Sequence, residues 1–183
     1  MMRSLGCLFL IPLLSLSVLS CSNLIIAGER GMVLCPEDVA LRAENGARLY
    51  CAADTRYLWG GQDRLGAAGP LKIDCSGLVV NCFRTAAYEA GYELPFADAS
   101  VGEFLERYSV PIRSPRPGDV VFMGAPRQSP THMGIFVGRD AHQIWFIDST
   151  IKPEEQIDGV SLRSYPEDDP RLLSFGRLLL VHR

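Results

Sequence analysis

The sequence predicts an α+β domain with N-terminal helices packed on an antiparallel β-sheet, and three observations predict it. Helical periodicity governs the chain as far as Tyr108. Runs of β-branched and aromatic residues take over after Pro115. A hydrophobic fraction of 48% against 21% charged residues supplies a core for the two halves to share. Helices first and strands second is the order of an α+β chain.

Ahead of the domain, Arg3 gives a short positive region and Leu5 to Leu19 an apolar one interrupted by serines and Pro12. That is the pattern of an export signal, and it is too short for an ordinary membrane span. It ends Val18-Leu19-Ser20-Cys21, which resembles the lipobox of bacterial lipoproteins, although Leu19 is larger than the usual residue there. The resemblance implies a lipoprotein signal peptide over 1–20, acylation of Cys21, and a lipidated tether over 21–34. Acyl chains at about 0.8 kcal/mol per buried CH2 would then hold the protein on a membrane of the cell envelope, facing the periplasm and expected to be the outer membrane. The remaining chain, about 160 residues, is the size of one domain. Its net charge of -3 offers no basic field for nucleic acid.

Pro36-Glu37-Asp38 opens the first helix, with proline early and acids in the first turn, and it should run to Ala53 across a weak Asn45-Gly46. Gly60 to Ile73 reads as a loop, rich in glycine and containing Pro70. A second helix starts at Cys75, where Leu78, Val79, Cys82, Phe83, Ala86 and Ala90 form one apolar face, and Gly91 ends it. Ala99 to Tyr108 makes a short third helix. Strands follow at Asp119 to Met123, His132 to Val137, Ile144 to Asp148, Val160 to Arg163 and Phe175 to Val181. In the His132 strand, alternation puts His132, Gly134 and Phe136 on one side and Met133, Ile135 and Val137 on the other.

Cys75 is the residue with chemistry in prospect. It sits at a helix start, where unpaired N–H groups favour a thiolate, and it shares the apolar face, so its sulfur turns toward the element packed on the helix. A base must come from His132, His142 or His182, the only histidines. His142 falls in a hairpin turn and His182 at the terminus. If the strands of His132 and Asp148 form a hairpin with a loop of three or five residues, the two side chains meet directly across one rung; a loop of four sends them to opposite faces. Of the other cysteines, Cys82 reads as core, and a Cys35 to Cys51 bridge stays open. Cysteines and histidines do not cluster at zinc spacing, so no metal is expected. Trp59 reads as a packing residue beside Gly60 and Gly61.

Together, Tyr57-Leu58-Trp59-Gly60-Gly61, Asp74-Cys75-Ser76-Gly77-Leu78, Pro117 to Phe122, His132 to Gly138 and Phe146 to Ser149 resemble the NlpC-type, papain-like cysteine peptidases of bacterial cell walls. The resemblance implies a papain-like fold over 35–183 with the nucleophile at the N-terminus of the central helix. It implies a hydrolase of peptidoglycan stem peptides, typically at the γ-D-glutamyl–diamino acid bond, with Cys75 as nucleophile, His132 as base and then acid, and Asp148 in the orienting place. Tyr57, Asp74 and Ser76 match substrate-binding positions. A monomer without cofactor is expected. The third residue is commonly histidine in the family, and Asp148 departs from that. The loop from Gly61 to Asp74 is also longer than usual, and its Arg64 and Lys72 are read as facing solvent. Two rival classes share these residues: a non-catalytic wall-binding lipoprotein, and an amidase or acyltransferase on the same fold.

Overall fold

Pro36, extended at φ -60 and ψ 155, separates strand β1 (Met32–Leu34) from helix α1 (Glu37–Ala52). The computed structural model describes residues 31–126 and 128–183. The export signal and the Cys21 lipid site expected from the sequence therefore lie outside the described residues.

Helix α1 passes through Asn45-Gly46 without a break, because tertiary packing outweighs the propensity cost of one glycine. Its Val39, Ala40, Ala43, Ala47 and Tyr50 are buried, and Gly46 lies against Cys82 of the next long helix. After it come β2 (Thr55–Tyr57) and β3 (Leu71–Ile73), which pair in parallel as a sheet of their own. The sequence reading placed Leu71 to Ile73 in a loop. Three residues carry too little alternation to mark a strand, and the partner lies across a glycine-rich excursion. Arg64 and Lys72 within this region are both exposed.

Helix α2 (Cys75–Glu89) buries Leu78, Val79, Val80, Cys82, Phe83, Ala86 and Ala87, so it is the central helix of the fold. Beyond β4 (Tyr92–Glu93), a capping box opens α3 (Val101–Arg107): Ser100 accepts from the Glu103 N–H while the Glu103 carboxylate accepts from Ser100. The remaining strands are β5 (Ser109–Ile112), β6 (Val120–Met123), β7 (His132–Arg139), β8 (Gln143–Lys152), β9 (Ile157–Pro166) and β10 (Leu172–His182).

The main sheet runs β1-β10-β6-β7-β8-β9, with β4 and β5 also paired to β10, and every pairing in it is antiparallel. Mixed helices and an antiparallel sheet agree with the α+β expectation. Met133 and Ile135 of β7 join Val120, Phe122 and Ile147 in the cluster that α1 and α2 cover. Phe136 turns the other way and packs with Val121, Ile144 and Phe146. The sheet is therefore buried on both faces over β6 to β8, which is why these strands are so apolar.

The Pro117-Gly118-Asp119 turn before β6 works as a clamp. Asp119 is almost fully buried, and Arg177 of β10 forks onto it with two bonds of 2.9 Å. Its carboxylate also accepts the Arg116 N–H at 2.8 Å.

Candidate active site

Asp74 sets the geometry at the start of α2. As N-cap its Oδ1 accepts the Gly77 N–H at 2.6 Å and the Ser76 hydroxyl at 3.0 Å, while Oδ2 accepts the Gly60 N–H at 2.8 Å. One carboxylate thus ties the helix start to the Tyr57 to Gly61 turn. That turn fits closely: a Cβ on Gly77 would lie 2.3 Å from the Gly61 carbonyl oxygen, so no other residue sits there without moving the backbone. The two glycine-bearing motifs of the sequence are two sides of one contact.

Cys75 is the first residue of α2 and is buried in the main core cluster. Its thiol lies near enough to the ring of His132, the first residue of β7, to raise that ring's pKa. The Nε2 of that ring lies 2.5 Å from Asp148 Oδ2, which leaves Nδ1 for the thiol. Cys75, His132 and Asp148 are therefore brought together.

They meet by a route other than the direct rung. Arg139 pairs with Ile144, closing the four-residue loop that by itself would separate the two side chains. A bulge between Phe136 and Gly138 then adds one residue to β7 and restores the parity. Beyond it Phe136 pairs with Phe146 and Ile135 with Ile147, so Gly134 comes opposite Asp148 and His132 lies diagonally from it. Space for the carboxylate comes from Gly134, where a Cβ would stand 3.1 Å from Asp148 Cβ and 2.8 Å from the Ile147 carbonyl oxygen.

Asp148 has no exposed surface. Burial alone would raise its pKa, but hydrogen bonds from Arg163, and then from His132, outweigh it and hold the carboxyl below the usual range. Arg163 of β9 donates from Nε to Oδ1 at 2.8 Å and from Nη2 to Oδ2. For His132 burial pulls the pKa down, and hydrogen bonds with Asp148 and Cys75 overcome it, so the imidazole is pushed up to about 9. The shift favours the protonated ring, held between the Asp148 carboxylate and Cys75.

The other described cysteines lack such a partner. Cys35, Cys51 and Cys82 are free thiols, so the open question of a Cys35 to Cys51 bridge is answered by two unlinked residues. Burial pushes Cys35 up to about 12, Cys51 up to about 11 and Cys82 further.

A cleft of about 350 Å³ opens over Cys75, lined among others by Trp59, Asp74, Ser76, Asp98, Ser100 and Thr131. Trp59 corrects the sequence reading: it is 81% exposed, since the turn at Gly60 (φ +74) swings it out over the cleft instead of into the core. Tyr57 ends β2 beside Ile73, and burial, then the Cys75 and Asp74 charges, raise the pKa of its hydroxyl. Ser76 is half-buried and spends its hydroxyl on Asp74. His142 lies in the β7–β8 turn, as read from the chain, and His182, near the terminus, packs on Tyr92. Among the described residues no group of three or more His, Cys, Asp or Glu could hold a metal ion.

Sequence reasoning missed Arg163 and the part played by Gly134. An arginine in a strand of alternating polarity looks like a solvent-facing one, and only the fold places its head under Asp148.

The chain matches the family model of the NlpC/P60 family over residues 54–165, well over half of its length, and it belongs to that family. The family's members are generally cysteine peptidases of the cell wall, acting on peptidoglycan peptides. Among curated proteins none matches the chain. A solved structure described as "The crystal structure of Ly7917" is similar at 14% identity and a TM-score of 0.47, over 76% of this chain and 62% of that one. The chain thus spans less than two thirds of that neighbour's length.

Proposed function

We propose that this protein is a peptidoglycan endopeptidase that hydrolyses stem-peptide amide bonds, in the first place the γ-D-glutamyl–diamino acid bond, by a Cys75, His132 and Asp148 thiol mechanism. The observation that carries the reading is a helix-start thiol beside an imidazole whose Nε2 sits 2.5 Å from a buried carboxylate.

The Cys75 thiolate attacks the amide carbonyl, and the carbonyl electron pair moves onto oxygen. The Tyr57 hydroxyl and N–H groups at the start of α2 face the developing charge. As the tetrahedral species collapses, His132 gives its proton to the leaving nitrogen and the C–N bond breaks, leaving a thioester. Neutral His132 then takes a proton from water, hydroxide adds to the thioester, and the acid product departs with Cys75 restored. Asp148 holds the ring through both halves of the cycle. Asp74 and Ser76 help bind the stem as members of the cleft wall. The protein works as a monomer, anchored through acylated Cys21 to the outer membrane with the domain facing the periplasm.

The test is incubation of the purified protein with wall fragments of defined stem chemistry, with products identified by mass spectrometry, beside Cys75→Ala. Cleavage by the parent and none by the variant is expected. Binding without cleavage across all stems would overturn the reading in favour of a wall-binding lipoprotein. Acyl groups on Cys21, sought by mass spectrometry of the mature N-terminus from cells, test the anchor.

A further inference from the structure

The Asp148 carboxylate faces two partners of different character. His132 changes its charge during the proposed cycle, and Arg163 does not, because a guanidinium keeps its proton across the accessible pH range. Arg163 is also fixed in place. Its Nη1 donates to the Tyr165 hydroxyl at 3.2 Å, and its Cζ lies 5.3 Å from the centroids of both the Phe146 and Tyr165 rings. The side chain is 6% exposed and the Asp148 side chain not at all.

A fully buried carboxylate whose one partner is a titrating imidazole would stand unpaired each time the ring lost its proton, and an uncompensated buried charge is strongly unfavourable. The fork from β9 removes that state. It meets both oxygens, so it sets the plane of the carboxylate as well as its charge.

We propose that Arg163 is a positioning residue for His132: it keeps Asp148 anionic and holds Oδ2 on the imidazole in both protonation states of the ring. The inference rests on the reading of Cys75, His132 and Asp148 given above, and it deepens that reading. Other ionisable groups facing the cluster are Cys75 from α2, Cys51 from α1, Tyr57 from β2, Tyr165 from β9, and more remotely Glu155 and Arg171. None of these reaches the carboxylate with a fork.

The sign of the effect follows from charge. Without Arg163, the state with neutral imidazole and bare carboxylate is the one that loses most, so the proton shared by the pair must leave at higher pH.

The experiment is a titration of the His132 ring by 15N NMR, needing no substrate, in the full-length protein, Arg163→Gln and Arg163→Lys. Gln is expected to move the midpoint up by about one pH unit or more, and Lys, which keeps the charge, to return it toward the parent value. A His132 midpoint equal to the parent's in Gln would overturn the proposal and leave Arg163 as packing. If Gln does not fold, Lys decides with turnover: kcat reduced at unchanged KM and unchanged His132 midpoint is expected, because charge is kept and the fork is lost. Parent-like kcat in Lys would overturn it. Failure of the parent to cleave any wall fragment, with the NMR shift present, would fault the proposed activity and leave the placement of Arg163 intact.

Discussion

Gly134 and Asp148 face each other across β7 and β8, and a Cβ on the glycine would stand 3.1 Å from that of the aspartate. The hydrogen at Gly134 is the room in which the carboxylate reaches diagonally to His132. Gly134→Ala is therefore expected to push Asp148 off the ring. Overpacking of this kind costs about 1 to 3 kcal/mol, and wall-peptide turnover should fall further than that stability loss accounts for. Urea melts beside kcat at a temperature where both proteins are folded will check it; unchanged kcat would refute the steric argument.

His132 makes part of the stability depend on pH. Its folded pKa of about 9 lies above the unfolded value of about 6.5, so its contribution is complete below the unfolded value and is lost as pH rises through 9. Asp148 acts in the opposite direction, being depressed in the fold, so its contribution is present above its unfolded value of about 3.9 and lost at lower pH. Urea melts of the parent and His132→Gln at pH 6 and pH 10 should show a gap at pH 6 that narrows at pH 10. The same ionisation should end turnover above about pH 9 if the imidazolium donates to the leaving nitrogen.

Asp74 carries three hydrogen bonds at the α2 start, and losing an N-cap alone costs about 1 kcal/mol. Asp74→Ala should cost more than that, since it also releases the Gly60 turn that shapes the cleft. Asp74→Asn retains acceptor capacity at one oxygen and should lie between the two in thermal melts.

Thiol reactivity should separate Cys75 from the other described cysteines. Iodoacetamide at neutral pH is expected to modify Cys75 in the folded protein, while Cys35, Cys51 and Cys82 stay unlabelled until the chain unfolds, because burial keeps them protonated. Peptide mapping reads the sites directly. Labelling of Cys51 as fast as Cys75 would contradict the electrostatic picture.

Trp59 stands 81% exposed on the rim of the cleft and contributes little to the core. Trp59→Ala should leave the melting temperature within a degree or two while raising KM for wall fragments roughly 2- to 10-fold, the range of a lost aromatic contact. An unchanged KM would mean that bound substrate does not cross this side of the cleft.

Much of the frame was legible along the chain. The apolar face of α2 and its stop at Gly91, the short third helix, and the alternation in β7 are local patterns, each written in residues within a turn or a strand of one another. The β2–β3 pair was not legible, because three-residue strands owe their existence to the partner rather than to their own pattern. Trp59 was misread for a related reason: an aromatic beside two glycines has no local signal for which way the turn throws it.

The sequence by itself determined the α+β class, the helix start at Cys75 and the short choice of histidines, because composition, periodicity and motif spacing are properties of neighbouring residues. Tertiary structure alone decided how His132 meets Asp148. Hairpin parity can be changed by one bulged residue, and the bulge at Val137 changed it. It alone also decided that Arg163, fifteen residues beyond Asp148 and outside every motif, lies beneath that carboxylate, since a buried ion pair is made by register between strands and leaves no mark on either strand's own sequence.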